Sequence, residues 1–339
     1  MARRPGRKAP PSPLEQRDGV DAVCVRLPGD TRSHGQQRQA GRAGRGAATA
    51  DGPPPTVAAY LLERYAAAVG AAEVAAMLAA GRFVGADGRP VDAGTPYEPG
   101  GYVWFHRDTA PEQPVPFAIR VVHRDARIVV ADKPHFLATT PRGRHITQTA
   151  VARLRRDLDL PLLSPAHRLD RLTAGLVLFV VRPEDRGAYQ TLFRDRRVRK
   201  EYEAVAAHDP AVELPRTMRS RIVKEHGVLA AREVPGPVNA ETRIELLGHR
   251  GGLGRYRLLP ATGRTHQLRV HMSALGLPLL HDPLYPEVAE ETAEDDPGRF
   301  DRPLQLLARA LEFTDPRTGR PVRFESAREL AAWAAPTVP

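Results

Sequence analysis

A charged loop runs directly into an apolar segment at residues 167–181, which read HRLDRLTAGLVLFVV. The run Leu176–Val181 is continuous, apolar and rich in β-branched side chains, so it predicts a buried strand. Asp170 lies in the preceding loop, between Arg168 and Arg171. Nearby guanidinium groups favour the ionised form of a carboxyl group, and we expect Asp170 to be a carboxylate at neutral pH. Its position at a strand end favours a functional role over a surface ion-pair network.

A second dense segment, residues 261–271, reads ATGRTHQLRVH. A glycine turn here leads from a strand into a predicted helix, Thr265–Leu275. Thr265 is expected to cap that helix and to leave its first N–H groups available for an anion. Arg264 stands at the turn, where its guanidinium fork can reach a carboxylate or a phosphate.

A third segment, residues 199–204, reads RKEYEA and enters a predicted strand, Tyr202–Ala207. An aromatic residue at such a position is most often part of the edge of a core. Taken alone, Tyr202 therefore indicates a structural role.

Strands outnumber helices along the chain, and the helices interrupt the strand series irregularly. This pattern predicts an α+β fold with a mixed or antiparallel sheet rather than a regular doubly wound fold. Helices are predicted at residues 57–68 (with Thr56 as N-cap), 71–80, 147–158, 183–195, 265–275 (ended by Gly276) and 326–335. Strands are predicted at residues 23–27, 82–84, 102–106, 121–122, 128–131, 176–181, 202–207, 242–247, 256–260, 304–313 and 322–324.

The charge of the chain is unevenly distributed. The formal net charge is +10 over 339 residues, which suggests an anionic partner. Residues 1–50 hold ten Arg and Lys against four Asp and Glu, which leaves +4 for the rest of the chain. Anion binding by the folded part must therefore rest on local clusters of charge. Residues 1–18 are predicted to be a disordered basic tail, and residues 29–55 form a low-complexity insert.

Residue usage argues against several classes of protein. The single cysteine, Cys24, can form neither an internal disulfide nor a thiolate metal site, which favours a reducing cytoplasm. His266 and His271 do not share a helical face, so they are interpreted as packing or ligand-contact residues rather than metal ligands. No apolar run is long enough to cross a bilayer, and no apolar segment follows the basic start as in a signal peptide. We therefore expect no membrane and no metal.

The three segments, in this order, resemble the RluA-type family of pseudouridine synthases, which isomerise uridine in ribosomal or transfer RNA. The family pattern H-R-L-D-x-x-T-S-G is matched at His167–Gly175, its K-x-Y element at Lys200–Tyr202, and its T-G-R-T-H-Q-L-R-V-H segment at Thr262–His271. Residues 130–134, VADKP, are similar to a family strand that ends in D/N-K-P. The resemblance spans residues 117–326. It implies a mixed, mostly antiparallel central sheet flanked by helices and loops, in a catalytic domain at residues 117–336.

The resemblance also implies an RNA partner, no cofactor, and catalytic roles for Asp170, Tyr202 and Arg264. Asp170 would act on the ribose, either by attacking C1′ or by removing a proton from C2′. Arg264 would pair with Asp170, while Tyr202 would stack under the uracil and help to remove the C5 proton. Arg168 would fill the space that the flipped-out uridine leaves. RNA contacts are further expected from His167, Arg171, Lys200 and Arg269.

Two positions depart from the family pattern. Ala174 replaces the usual serine, and His281-Asp282 stands where the family usually has Gly-Asp, which would reshape a loop near the site. Towards the N-terminus, residues 19–110 resemble a degenerate S4 RNA-binding module that contains the insert at 29–55. The second helix of that module has no basic residue here, so the module is expected to pack rather than to bind RNA.

Two other functions remain open at this point. A catalytically silent RNA-binding or ribosome-assembly protein could use the same fold, although binding alone does not require Asp170. A hydrolase with Asp170 as nucleophile or base would release uracil or cleave its substrate. We expect an enzyme that is a cytoplasmic monomer, with a target RNA and position that the pattern does not specify.

Overall fold

The computed structural model describes residues 9–29, 55–108, 111–289 and 297–334. The chain divides into two compact units, with the boundary between Thr109 and Ala110. The predicted low-complexity insert at residues 29–55 lies, except for its two ends, outside the described residues, as do the first eight residues of the predicted tail. The predicted domain boundaries stay predictions.

The N-terminal unit combines two helices with a small antiparallel sheet. Its elements are β1 (Val23–Arg26), α1 (Val57–Val69), α2 (Ala71–Ala79), β2 (Val84–Gly85) and β3 (Tyr102–Phe105), with the strands in the order β1-β3-β2. Helix α1 begins as predicted, because the side chain of Thr56 accepts a hydrogen bond from the amide of Ala59 (3.2 Å). Leu61, Val74 and Phe105 meet in the core of this unit. The resemblance of the unit to an S4 module stays a prediction.

The second unit is built around a large twisted sheet. Its strands are β4 (Arg120–Arg124), β5 (Ile128–Lys133), β6 (Ser164–Pro165), β7 (Ala174–Val180), β8 (Arg199–Ala207), β9 (Arg216–Ser220), β10 (Ile222–Val223), β11 (Arg232–Glu233), β12 (Ala240–Arg250), β13 (Leu253–Pro260), β14 (Leu306–Thr314) and β15 (Pro321–Glu325). Its helices are α3 (Ala150–Leu158), α4 (Arg186–Arg194), α5 (Gln267–Ala274) and α6 (Ala331–Ala334), with short 3₁₀ turns at Pro183–Asp185 and Pro297–Phe300.

Ten of these strands form one sheet with the order β4-β5-β7-β14-β8-β13-β12-β9, to which β6 and β15 add beside β7 and β14. Among these strands β7 and β14 pair in parallel, and the other pairs are antiparallel. Strands β10 and β11 form a separate hairpin. The predicted α+β fold with a mixed, mostly antiparallel sheet is confirmed.

Strand β7 is buried along its whole length, as its apolar run predicted. Val177 and Phe179 point to one face of the sheet, where α3 covers them, and Leu176 and Leu178 point to the other face, where α4 covers them. A strand that is covered on both faces needs no polar alternation, which is why this run is apolar throughout.

Strand β14 joins the two parts of the sheet that carry the conspicuous sequence segments. Its residue Ala308 pairs with Gly175 of β7 on one side and with Tyr202 of β8 on the other. Gly175 has φ 111°, and a Cβ atom there would lie 2.3 Å from the carbonyl oxygen of Ala308. Only glycine allows this close approach. The Asp170 loop is thereby held two strands away from Tyr202.

Two predicted helices begin later than their periodicity indicated. Helix α3 begins at Ala150 instead of residue 147, because the carboxylate of Glu112 accepts the backbone N–H groups of residues 146–148. Helix α5 begins at Gln267, and its N-cap is His266 with φ 57° and no side-chain capping bond. The prediction that Thr265 caps this helix is therefore wrong.

Of the last predicted helix, residues 326–335, only Ala331–Ala334 are helical among the described residues, and residues 326–330 have no regular secondary structure. Asp132 lies on the central sheet and accepts hydrogen bonds from the hydroxyl of Ser326 (2.7 Å) and the Nε of Arg328 (3.0 Å). These bonds tie the segment to the sheet, so only the short α6 forms after it.

Candidate functional site

The loop that carries Asp170 is fixed by hydrogen bonds to its backbone. Its end is closed by a bond from the amide of Thr173 to the carbonyl of Asp170 (3.1 Å). The hydroxyl of Thr139 donates to the carbonyl of Leu169 (2.8 Å) and accepts from the amide of the same residue (3.1 Å). His135 contacts the carbonyl of Leu172 through Nδ1 (2.7 Å). The carboxylate is therefore presented on a rigid backbone.

A buried lysine supports the same loop from below. The Nζ of Lys133 donates to the carbonyl oxygens of Pro134 (3.0 Å), Leu137 (2.8 Å) and Arg171 (3.3 Å), so three donors meet three acceptors. Its side chain is 0% exposed. Burial lowers the pKa of Lys133 to about 7, although the negative charge of Asp170 acts in the opposite direction.

A cleft of about 950 Å³ opens above this loop. It brings together all eight residues that the sequence singled out for the site. They are the proposed catalytic residues Asp170, Tyr202 and Arg264, and the proposed RNA contacts His167, Arg168, Arg171, Lys200 and Arg269.

Two residues of β8 form one wall of the cleft. Tyr202 is half-buried and packs against core residues on both sides of its strand. Burial and the negative charge of Asp170 raise the pKa of the Tyr202 phenol, so it stays protonated at neutral pH. Lys200 donates from Nζ to the carbonyl of Thr262 (3.0 Å), and burial lowers its pKa to about 8. It was predicted to contact a phosphate, but here it links β8 to the turn beyond Thr262.

The turn that carries Arg264 is held by one buried amide side chain. The Oε1 of Gln267 accepts from the amide of Arg264 (3.0 Å) and from the hydroxyl of Thr262 (2.7 Å). Its Nε2 donates to the carbonyl of Glu241 (2.9 Å) and to the hydroxyl of Thr242 (2.9 Å). Every polar atom of this side chain is thus used to fix the backbone of the turn against β12.

The side chain of Arg264 is exposed, in contrast to its backbone. Its Nε donates to the carbonyl of Asn239 (3.1 Å). No nitrogen of Arg264 lies within 4.0 Å of a carboxylate oxygen of Asp170, although both residues line the cleft. The predicted ion pair between them is therefore not formed in this structure.

Arg269 is committed to a buried partner. It donates from Nε and Nη2 to the two carboxylate oxygens of Asp282 (2.8 and 2.5 Å), and the side chains are 2% and 0% exposed. Its guanidinium also lies over the ring of Tyr285. These contacts commit Nε and Nη2 of Arg269 to Asp282, although the residue lines the cleft, and its predicted phosphate contact stays a prediction. The neighbouring His281 has φ 61°, a conformation that favours glycine, which explains why the family usually has glycine at this position.

His167 makes structural contacts within the protein, and its predicted RNA contact stays a prediction. Its Nε2 accepts the amide N–H of Leu178 (3.1 Å), and its ring stacks on Phe193. Burial lowers the pKa of His167 to about 3, so the ring is neutral and cannot pair with a phosphate as a cation. Arg168, in contrast, is exposed at the cleft.

Part of the basic rim of the cleft was not predicted from the sequence. Arg142, Arg194 and Arg196 line the cleft beside the predicted residues. The signal was available as the arginine-rich run at residues 194–199, RDRRVR. Only its last arginine, Arg199, belonged to a segment that was singled out for the site. The loop of the β10–β11 hairpin also lines the cleft, with Lys224, Val228 and Leu229 among others.

Among the residues that the structure describes, no three His, Cys, Asp or Glu side chains are grouped closely enough to hold a metal ion. None of the described helices is long and apolar enough to cross a membrane.

Comparison with known proteins gives a consistent set of relatives. The chain matches a family model described as RNA pseudouridylate synthase over residues 127–274. It is 34% identical over 206 residues to the human pseudouridylate synthase RPUSD2, covering 61% of this chain and 37% of that protein. It is 30% identical over 222 residues to the dual-specificity RNA pseudouridine synthase RluA of Yersinia pestis, covering 62% of this chain and 99% of that protein.

A solved structure agrees with these matches. Human RNA pseudouridylate synthase domain containing 1 aligns with a TM-score of 0.50 and 26% identity, over 62% of this chain and 84% of that chain. The chain spans well under half of the length of the human RPUSD2 but nearly all of the bacterial RluA. The matched residues 127–274 include Asp170, Tyr202 and Arg264. The chain therefore belongs to the RluA-type family of RNA pseudouridylate synthases.

Proposed function

We propose that this protein isomerises uridine to pseudouridine within an RNA chain, with Asp170 as the catalytic carboxylate. One observation carries the proposal: a rigid loop presents Asp170 to a cleft of about 950 Å³ that Tyr202 and Arg264 also line. A flipped-out nucleotide needs such a concave site with a carboxylate near the sugar and an aromatic ring near the base. The proposal keeps open whether Asp170 attacks C1′ or removes a proton from C2′.

The proposed roles of the other residues follow from their positions. Tyr202 stacks against the uracil as a neutral phenol, because burial and Asp170 keep its pKa raised. Arg168 is exposed at the cleft and fills the space that the uridine leaves in its stack. Arg264 contacts the bound nucleotide and approaches Asp170 when RNA is present.

We propose ribosomal or transfer RNA as the substrate. The support lies in the names of the relatives, which include a mitochondrial tRNA pseudouridine(32) synthase of yeast and a ribosomal large subunit pseudouridine synthase D of Pseudomonas aeruginosa. A cytoplasmic monomer is part of the same proposal. Its mass in solution is measured by light scattering, and a dimer would contradict it.

We propose that residues 19–110 are a degenerate S4-like element that packs rather than binds RNA, and that residues 117–336 are the catalytic domain. The second helix of the S4-like element, α2, carries Glu73 and no basic residue. Replacing the exposed Arg26 and Arg89 by glutamine is expected to change RNA affinity by less than about twofold. A larger loss would show that this unit contributes phosphate contacts.

The replacement of Asp170 by asparagine tests the function directly. Purified Asp170→Asn is expected to lose pseudouridine formation by about 10³-fold or more, while its RNA affinity stays within about threefold. The substrate is RNA from a strain that lacks the gene. After reaction with the purified enzyme, the product is detected by carbodiimide labelling. Asp157→Asn, at an exposed aspartate outside the cleft, is the matched control and is expected to retain full activity. An Asp170→Asn variant that modifies RNA at the wild-type rate would refute the assignment.

A further inference from the structure

A short chain of hydrogen bonds connects the β10–β11 hairpin to the turn that carries Arg264. The hydroxyl of Tyr285 accepts from the amide of Ala231 (2.7 Å) and donates to the carbonyl of the same residue (3.0 Å). The same hydroxyl lies 3.0 Å from Nδ1 of His266. Tyr285 is buried, so these partners account for its hydrogen bonding.

Counting donors fixes the protonation of His266. A phenol has one proton and two lone pairs. The phenol donates its proton to the carbonyl of Ala231, and the Ala231 amide occupies one lone pair. The remaining lone pair of Tyr285 must accept a proton from His266, which therefore carries its hydrogen on Nδ1.

The other ring nitrogen of His266, Nε2, then carries no hydrogen and can act as a hydrogen-bond acceptor. Among the described residues, Nε2 of His266 has no hydrogen-bond partner, and the residue lines the cleft with Asp170. Burial lowers the pKa of His266, and the charges of Asp170 and Asp282 only partly oppose the effects of burial, Arg269 and Lys224. The ring is thus neutral at physiological pH, with a lone pair to offer.

Among the described residues, three other groups have a shifted pKa that the charge of Asp170 affects, and none of them offers such a basic lone pair to the cleft. Besides His266, these groups are Lys133, Tyr202 and Tyr285. Burial raises the pKa of both phenols, which are therefore protonated, and this argues against the role in C5-proton removal that the family resemblance implied for Tyr202. Lys133 lies beneath the loop with its donors on three carbonyls. Asp170 itself is engaged with the sugar on either proposed route.

We propose that Nε2 of His266 takes the C5 proton of the rejoined uracil and passes it to N1, an inference that rests on the proposed isomerisation. When C5 has bonded to C1′, C5 carries a hydrogen and N1 is double-bonded to C6. Transfer of the C5 proton to Nε2 leaves the C–H electron pair to form the C5–C6 double bond. The N1–C6 π electrons move to N1, which takes the proton back from the imidazolium. The step consumes nothing, and the imidazole returns to its starting form.

The test compares substrates that carry hydrogen or deuterium at C5 of the target uridine, in single-turnover reactions. The key variant is His266→Asn, because asparagine tolerates the positive φ of this position and keeps a donor for Tyr285 but has no atom at Nε2. We expect it to be about 100-fold slower than wild type and to acquire a primary isotope effect that wild type lacks. His266→Gln is expected to behave in the same way, so the result does not depend on one substitution.

Controls separate this role from a structural one. His281→Asn places the same change at another histidine with positive φ, outside the residues that line the cleft, and is expected to leave the rate and the isotope effect unchanged. Tyr285→Phe retains the imidazole and is expected to be slowed less than His266→Asn. A slow His266→Asn without an isotope effect, or a variant with the wild-type rate, would overturn the proposal. If wild type forms pseudouridine and Asp170→Asn does not, the proposed function stands in either case.

Discussion

The loop that carries Asp170 and the turn that carries Arg264 face the same cleft. Both have a fixed backbone, but they differ in how exposed the functional side chain is. The Asp170 loop is fixed from below by Thr139, Lys133 and His135, all through its backbone. The Arg264 turn has an equally fixed backbone, held by Gln267, but its guanidinium is exposed and contacts only a carbonyl at the rim. The backbone that bears the carboxylate is fixed in the free protein, whereas the role proposed for Arg264 requires its side chain to move when substrate binds.

The largest expected effect comes from removing the support of the Asp170 loop. Lys133→Met leaves three carbonyl oxygens, two of them on buried residues, without their donor, so the free energy of unfolding should fall by about 3 kcal/mol. Activity should fall by about 100-fold even where the variant is folded, because the loop is no longer held. Denaturant unfolding and single-turnover rates measure the two effects. Lys224→Met, at an exposed lysine, is the stability control, and an equal loss there would contradict the argument.

The pH dependence of the same variant sharpens this prediction. The pKa of Lys133 is lowered from 10.5 to about 7 by burial. Between these values the unfolded chain holds more protons on this lysine than the folded protein does. The free energy of unfolding of wild type should therefore rise with pH in this window, relative to Lys133→Met. Urea titrations at pH 7 and pH 9 measure the difference, and a pH-independent gap between the proteins would show that this lysine keeps its proton.

Arg264→Gln is expected to separate catalysis from stability. Because the guanidinium is exposed and makes one bond at the rim, unfolding should change by less than about 0.5 kcal/mol. Activity should fall by about 100-fold, since the charge that meets the bound nucleotide is lost. Thermal melting curves and reaction rates of Arg264→Gln and wild type, measured in parallel, test whether activity falls without a loss of stability. A variant that is destabilised in proportion to its loss of activity would mean that the arginine is structural.

Arg168→Ala tests the gap-filling role on the preorganised side of the cleft. Turnover on a uridine within a duplex should fall by about tenfold, and turnover on a loop uridine by about twofold, because only the duplex has a stack to repair. The two substrates are compared at saturating RNA. Equal losses on both would count against this role.

The smallest effect is expected at the rim. Replacing Arg142 and Arg196 by glutamine together should reduce the slope of log affinity against log salt by about 1.5 units, with a loss of affinity of a few fold. The control is the double replacement of Arg120 and Arg216, which are exposed but do not line the cleft. A change of slope in the control but not in the rim variant would place the RNA elsewhere.

Structural features that are determined within a single helix or strand were predicted correctly from local patterns in the sequence. The buried run of β7, the cap at Thr56 and the stop at Gly276 are all decided within one element, and the structure has them as predicted. The eight predicted site residues meet in one cleft, because the family motifs mark the ends of the strands that surround it.

The sequence could not indicate which residue each charged side chain binds in an ion pair or a hydrogen bond. Arg269 is paired with Asp282 and Arg264 with the carbonyl of Asn239, and neither partner is marked by spacing or periodicity. The same holds for Glu112, which delays the start of α3 from a distant part of the chain. These pairings depend on tertiary contacts between residues that are distant in the sequence, and a linear pattern does not show which residues those are.

The central position of β14 has a consequence for how the protein is made. Its Ala308 lies between Gly175 and Tyr202, so it joins two strands that are synthesised more than a hundred residues earlier. During translation, β7 and β8 must wait as unpaired edges until this strand leaves the ribosome. A chain that lacks β14 therefore does not yet hold the Asp170 loop and Tyr202 at their fixed separation across the sheet.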